Sequence, residues 1–459
     1  MADHIRFVLN DQPVELDGPS PMTTLLDWLR EHRGLKGTKE GCAEGDCGAC
    51  TVVLERDGRR EAINACIALL GQIDGQSVRT VEGLRGAGEG PHPVQIVMAE
   101  ADATQCGFCT PGFVMSAYAF AAGGEPADLE TIHDALAGNL CRCTGYRPIV
   151  EAMTKIAGVP IEPAAPAPHR AASATFDGDF HAPRSLGELL ALRTRHPDAL
   201  LLGGATDLGL LASRLRKPPA SIIHLAHVPE LVAIVEREKE VTIGAAASYA
   251  RAMPALISNY PALRTYLARL GSRQIRTMGT LGGNIGTASP IGDMPPVLIA
   301  LEARLRLVST RGARDLPLED FFVSYRKTAL AADEVIQSIT VAKLRQGEVF
   351  FCDKLSKRRD QDISTVAAGY RLGIRNGRIE SARVAYGGMA ATPKRASAVE
   401  VALIKDGFTA AARALETDFK PIDDWRGTGA YRLQAARNLL RRLELRVGSP
   451  AYAVEVEAL

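Results

Sequence analysis

Apolar and polar residues alternate in HIRFVL (4–9), the chain turns at NDQP, and alternation resumes in VEL, which predicts an opening hairpin. In SPMTTLLDWLREHRG the apolar residues recur at helical spacing, with Ser20 before Pro21 at the start and Gly34 at the end, so a capped helix is expected. CTVVLER, a DG turn and EAINAC then predict a second hairpin, making a small α+β domain over residues 1–82. The periodicity changes near Pro93 to four helical segments, PVQIVMAEA, PGFVMSAYAFAAG, DLETIHDALA and PIVEAMTKIAG, within a stretch assigned to 83–157. The second and fourth open with proline and each follows a cysteine pair, so two helical hairpins would bring four distant thiols to one end of a bundle. A Pro- and Ala-rich stretch without amphipathic period reads as a linker, residues 158–175. Beyond it, strands such as ALLLGG, SIIHL and VTIGAA alternate with helices such as SLGELLALRTRH in an α+β segment, 176–345. The last segment, 346–459, opens near EVFFCDK with strands and closes with helices.

Charge adds little: 54 Lys and Arg against 53 Asp and Glu leave a net charge of +1, with no electrostatic case for nucleic acid or an anionic membrane as partner. The N-terminus lacks a basic stretch followed by an apolar run, and no window approaches a bilayer span, so a cytoplasmic protein is expected. Cysteine usage changes the picture more. Eight of nine cysteines fall between residues 42 and 143, and in a reducing compartment such crowding points to metal or redox chemistry rather than disulfides.

The first set, Cys42, Cys47, Cys50 and Cys66, has the C-x4-C-x2-C…C spacing of plant-type [2Fe-2S] sites. Gly41, Gly45 and Gly48 allow the loop to wrap tightly and aim backbone N–H groups at sulfur. A zinc ribbon usually has two C-x2-C knuckles, and this loop has one. The second set, Cys106, Cys109, Cys141 and Cys143, reads C-x2-C then C-x-C, and its spacing alone leaves zinc open. Beside an iron–sulfur domain it suits a second cluster, two clusters making a short one-electron wire. Cys352 stands alone in apolar sequence and reads as a packed core thiol.

Two glycine stretches follow. In LLLGGATDLGLL a strand runs into a glycine turn, with Thr206 and Asp207 where a helix could be capped; this suits a phosphate or is an ordinary strand-to-helix turn. TMGTLGGNIGTASPIGDMPP, 277–296, reads as a polar loop wrapped round a cofactor. Neither is G-x-G-x-x-G or a P-loop, so a Rossmann site is not supported. The basic run KLSKRRDQD, 354–362, reads as a solvated face.

The order GCAEGDCGAC, Cys66, QCGFCTPGF and CRCTGYRPI, followed by LLGGATDLG, TLGGNIGTASPIGD and KLSKRRDQDIS, resembles the xanthine dehydrogenase and aldehyde oxidase family. The resemblance implies an α+β architecture: a plant-type ferredoxin-like domain, a four-helix [2Fe-2S] domain and a non-Rossmann FAD-binding domain with a C-terminal subdomain. It also implies FAD contacts. Leu202, Gly203, Gly204, Ala205, Thr206, Asp207 and Leu208 would hold the pyrophosphate and border the flavin. Thr280, Leu281, Gly282, Gly283 and Asn284, with Thr287 and Ser289, would follow the pyrophosphate and ribityl chain, and Asp293 would hydrogen-bond the cofactor. Leu270 and Ile336 would be apolar contacts, and Lys354 would place a cation near the flavin. Two positions depart from the family pattern: Asp207 stands where relatives often have Glu, and Gln361 where they often have an acid.

Single-chain relatives continue into a molybdenum-cofactor domain, whereas this sequence stops after the FAD part, at residue 459. The resemblance therefore implies a small electron-transfer subunit paired with a separate molybdopterin subunit, as an (αβ)2 heterotetramer. Oxidation of hypoxanthine or xanthine at the partner's molybdenum would send electrons through both [2Fe-2S] clusters to FAD and then NAD. No protein acid or base is expected to be catalytic here.

Overall fold

The computed structural model describes residues 3–448 except 17, 57, 87–89, 163–171 and 178. Half of the expected linker, 163–171, therefore lies outside the described residues, as does the C-terminal stretch 449–459. The chain forms two compact units, one of residues up to 229 with 248–251 and 271–280, the other of 230–247, 252–270 and 281 onward.

The first unit begins with a five-stranded sheet in the spatial order Gln12–Glu15, Arg6–Leu9, Ser77–Arg79, Thr51–Arg56, Arg59–Asn64. Both predicted hairpins are present, while the strand Ser77–Arg79, too short for an alternating signature, emerges only in the structure. The first helix starts later than expected. Thr24, not Ser20, is its N-cap, accepting from Asp27 N at 3.0 Å, and Leu25–Asp27 runs on into a wider π-turn, Trp28–His32. Ser20 instead makes a local turn by accepting from Met22 N at 3.2 Å. Trp28 closes the core edge-on to Phe7, ring centroids 5.3 Å apart.

Four helices follow, Pro93–Glu100, Thr110–Gly123, Leu129–Leu136 and Arg147–Ile156, around a core that includes Phe113, Tyr118, Phe120, Ile132, Ile149 and Met153. The remainder of the unit is a four-stranded sheet ordered Ala174–Phe176, Phe180–Ala182, Ile222–His224, Leu200–Leu202, with the helix Leu186–Arg195 capped by Ser185.

His224, at the end of its strand, is fully buried, and burial together with His227, Arg184 and Arg56 holds its imidazole neutral, well below the ordinary histidine range. A depressed folded-state pKa means that only the unfolded chain takes up this proton as pH falls through about 6.5, so native stability is lost below that point. We expect His224→Gln to flatten the fall of stability between pH 6.5 and 5 by up to about 1.4 kcal/mol per pH unit. Thermal melts of both proteins across that range check this, parallel curves refuting it.

The second unit holds an antiparallel sheet ordered Ile234–Glu236, Glu240–Gly244, Val335–Ala342, Arg304–Ser309, Gly312–Pro317. It also holds a sheet of Glu348–Leu355, Val366–Arg375, Arg378–Gly387 and Lys394–Arg395, covered by the helices Ser397–Lys405, Phe408–Asp418 and Gly429–Gly448. Mixed helix and sheet without a Rossmann signature is the expected α+β class. Among the described residues no helix is long and apolar enough to cross a membrane.

Candidate functional site

Eight thiols gather into two groups of four. In the first, Cys42 contacts Cys47 and Cys66, and Cys66 contacts Cys50. The loop is shaped by its glycines: Gly45 and Gly48 have φ of 78° and 68°, and a Cβ on Gly41 would come within 2.7 Å of Cys47 Sγ. The wrapping aims backbone N–H groups of Glu44, Asp46 and Cys47 at Cys42 Sγ, at 3.4, 3.3 and 3.3 Å. Donation from Cys47 and Cys66, with these amides, draws the Cys42 thiol far below its ordinary range, so the site stabilises a thiolate. Asn64, which nothing in the cysteine spacing indicates, places Nδ2 3.9 Å from Cys50 Sγ.

In the second group Cys106 and Cys143 sit 3.5 Å apart, and Cys109 is in contact with Cys141. Burial, with that contact, pushes the Cys109 thiol up to about 12. Tyr146, at φ 68°, brings its hydroxyl to accept from Cys141 N at 3.0 Å, and Thr144 Oγ1 lies 3.1 Å from Cys141 Sγ. The first group is a continuous run of four contacting thiols and the second two pairs, Cys106 with Cys143 and Cys109 with Cys141. Among the described residues no three His, Cys, Asp or Glu side chains surround one metal position. Four thiols spread over a group, with no three among the described residues around one position, suit the four thiolates of a two-iron cluster better than a single zinc.

The first glycine stretch is a tight turn after the strand Leu200–Leu202. A Cβ on Gly204 would lie 1.6 Å from Met278 O, and one on Gly203 2.6 Å from Thr280 Oγ1, so the two segments lie flush; Ala205 takes φ 63°. The helix that follows, Gly209–Ser213, has only five residues and no side-chain cap. Thr206 and Asp207 therefore do not cap it, and Leu208 holds the N-cap position: the chain turns through Ala205 before the helix can begin. This is a correction to the expected capped helix. Gly209 abuts Ile67 O, where a Cβ would come within 2.2 Å, and Ser213 donates to Ala43 O at 2.8 Å. Leu202, Gly203, Gly204, Ala205, Thr206, Asp207 and Leu208 thus lead directly into a helix that contacts the first cysteine loop at Ala43 and the chain beside Cys66 at Ile67.

The second stretch is not the expected loop throughout. Residues Leu281–Gly286 are helical, because Gly282 lets the backbone pack on Ala245, where a Cβ would come within 2.5 Å. Asn284, in that helix, has a buried Oδ1 with no partner, an acceptor open to a donor from a ligand such as a ribityl hydroxyl. Thr287 donates to Gly283 O, and Ser289 accepts from Ile291 N. Ile336 and Leu270 are buried, the former 4.0 Å from where a Gly286 Cβ would sit.

Lys354 is not part of a solvated face, which corrects that reading of the basic run; Lys357, Arg358, Arg359 and Asp360 are exposed. Lys354 is buried, and Nζ donates to Asp293 Oδ2 at 2.7 Å and to Arg269 O at 2.8 Å. Asp293 Oδ1 accepts from the Ser364 hydroxyl at 2.6 Å. The carboxylate expected on the cofactor is thus first of all the counter-ion of the lysine expected beside the flavin. Cys352 is a buried thiol, 3.3 Å from Ala262 O, as a packed core residue should be.

The sequence matches four family models in succession: 2Fe-2S iron-sulfur cluster binding domain (7–70), [2Fe-2S] binding domain (80–154), FAD binding domain in molybdopterin dehydrogenase (174–343) and CO dehydrogenase flavoprotein C-terminal domain (352–447). Xanthine dehydrogenase/oxidase of Rattus norvegicus is 33% identical over 85% of this chain and 34% of its own length. Xanthine dehydrogenase of Emericella nidulans is 33% identical over 91% and 36%. The chain thus spans about a third of the length of these curated relatives. Among solved structures, a chain of carbon monoxide dehydrogenase from Hydrogenophaga pseudoflava is 30% identical with TM-score 0.55, covering 57% of this chain and 94% of that one. With two [2Fe-2S]-binding domains, an FAD-binding domain and a flavoprotein C-terminal domain in succession, the chain belongs to the molybdenum hydroxylase family that includes the xanthine dehydrogenases.

Proposed function

We propose that this protein is the small, electron-transfer subunit of a bacterial-type xanthine dehydrogenase. A partner subunit would oxidise hypoxanthine and xanthine to urate at a molybdopterin cofactor, with electrons leaving through two [2Fe-2S] clusters and FAD to NAD, in an (αβ)2 assembly. The observation that carries this reading is the gathering of eight thiols into two groups of four, the first pressed by Ala43 and Ile67 against the helix that follows the 202–208 turn. When bound, clusters supply single-electron transfer and FAD the change from one-electron to two-electron chemistry.

The chain's own residues hold and tune these groups. Cys42, Cys47, Cys50 and Cys66 would hold one cluster, and Cys106, Cys109, Cys141 and Cys143 the other. The amides of Glu44, Asp46 and Cys47 favour negative charge on sulfur. Gly203 and Gly204 let the 202–208 turn lie flush on Met278 and Thr280, and Asn284 would supply an acceptor for FAD. Lys354, ion-paired with Asp293 at 2.7 Å, sets a fixed cation in its unit. A sibling reading, the same subunit serving a molybdenum hydroxylase of another substrate, is favoured by the likeness to carbon monoxide dehydrogenase.

Dithionite-reduced protein should give two distinct S = 1/2 EPR signals, with about four irons and one FAD per chain. Cys141→Ser should remove one signal and about half the iron. Iron and both signals surviving the substitution would refute the second ligand set. Co-purification of a large subunit, with xanthine-dependent NAD reduction by the complex, tests the substrate; rapid oxygen reduction with no NAD reduction would defeat the dehydrogenase assignment.

A further inference from the structure

A buried polar knot ties the two cysteine groups together. Asn139 precedes Cys141 by two residues, and its Nδ2 donates to Gly48 O, inside the first cysteine loop, at 3.2 Å. Leu140 N donates to Cys47 O at 3.0 Å. Ser116, on the helix that begins beside Cys109, donates to Asn139 Oδ1 at 2.7 Å, and Thr51 Oγ1 donates to Gly48 O at 2.7 Å. Both hydroxyls have thus used their hydrogens. What remains on Thr51, Ser116 and Asn139 is acceptor capacity, and one group faces all three: Gln274 Nε2, at 3.3, 3.3 and 3.1 Å. The pattern fixes the amide orientation, because a flipped Gln274 would set its oxygen against three acceptors.

Gln274 is 1% exposed, and its Oε1 has no partner. Burying an amide with one end unsatisfied opposes folding, so stability alone does not account for Gln274 at this position. Room is made for it: a Cβ on Gly138 would lie 1.9 Å from Oε1. Its helix, Arg273–Met278, is clamped to the helical domain by Arg273 with Glu125 and Asp134, and by Arg276 with Asp134. The same helix touches the first cysteine loop through Ile275, 3.1 Å from where a Gly45 Cβ would sit, and ends at Met278, whose carbonyl lies flush on Gly204. One short helix therefore meets both cysteine groups' supports and the glycine turn.

Resting on the reading of the two groups as cluster sites, we propose that Gln274 is a positioning residue. Through Asn139 it sets the spacing between the two clusters, and through Met278 the registration of both with the 203–206 turn. The test uses low-temperature EPR of dithionite-reduced full-length protein, with iron, acid-labile sulfide and flavin quantified. Interaction between two paramagnets depends steeply on their separation, so it reads spacing directly. Two independent routes remove the contact: Gln274→Met keeps volume but loses the donors, and Gly138→Ala expels the amide. At least one variant with wild-type iron is expected to show a shifted intercluster splitting. Unchanged splitting in every variant that keeps its iron overturns the proposal. Loss of iron in both does so too, assigning the knot to cluster retention. A wild type with both signals but no interaction between them also overturns it, whereas a wild type lacking two signals sinks the cluster reading instead.

Discussion

Gly204→Ala is expected to destabilise the protein by about 3 kcal/mol and to lower the flavin-to-iron ratio severalfold, at the upper end of what one added methyl does. The new Cβ would stand 1.6 Å from Met278 O and 2.2 Å from Met278 C. Both are backbone atoms, so no rotamer change relieves the clash, and the turn must part from the helix Arg273–Met278. Gly204 is not among the glycines with positive φ, so the demand is for space and not for conformation. Gly187 supplies the contrast: it lies in the helix Leu186–Arg195 with nothing within 4 Å of an added Cβ, and Gly187→Ala should stabilise by about 0.5–1 kcal/mol. Melting curves and released flavin per iron, measured on both variants, check the pair; a Gly204→Ala protein with normal flavin and melting would show that the turn tolerates separation.

The second large effect is expected at Lys354. Its side chain is 1% exposed and that of Asp293 12%, with 2.7 Å between the charged atoms. Removing one member of a buried pair strands the other, at about 3–5 kcal/mol. Lys354→Met should therefore cost that much, while the double variant Lys354→Met/Asp293→Asn should recover a good part of it, because no bare charge is left. If the double variant were as unstable as the single one, packing of the lysine stem and its bond to Arg269 O would be the cause, and not the charge. Flavin content adds a functional reading: loss of flavin in both variants ties the cation to the cofactor, as the proposed function expects.

The sequence by itself determined which residues are chemically able to act. Cysteine spacing is local, and a C-x4-C-x2-C loop with its glycines wraps the same way wherever it sits, so the first thiol group and its two hairpins were legible. The four helices of the second group were legible because each is an apolar segment of helical length with proline or an acidic cap at its start, although Thr110–Gly123 is buried nearly all round and not on one stripe. Only the tertiary structure decided what those residues face. The helix Leu281–Gly286 contradicts its own composition, since glycine disfavours helix until Ala245 makes a close approach worthwhile. Lys354 reads as one of several surface cations, and burial opposite Asp293 is a long-range outcome, the two being 61 residues apart. Gln274 carries no motif at all. Its partners Thr51, Ser116 and Asn139 come from segments up to 223 residues away, and an amide's role is set by which neighbours have already spent their hydrogens. Spacing along the chain records local chemistry, whereas mutual satisfaction of buried polar groups exists only once distant segments have packed.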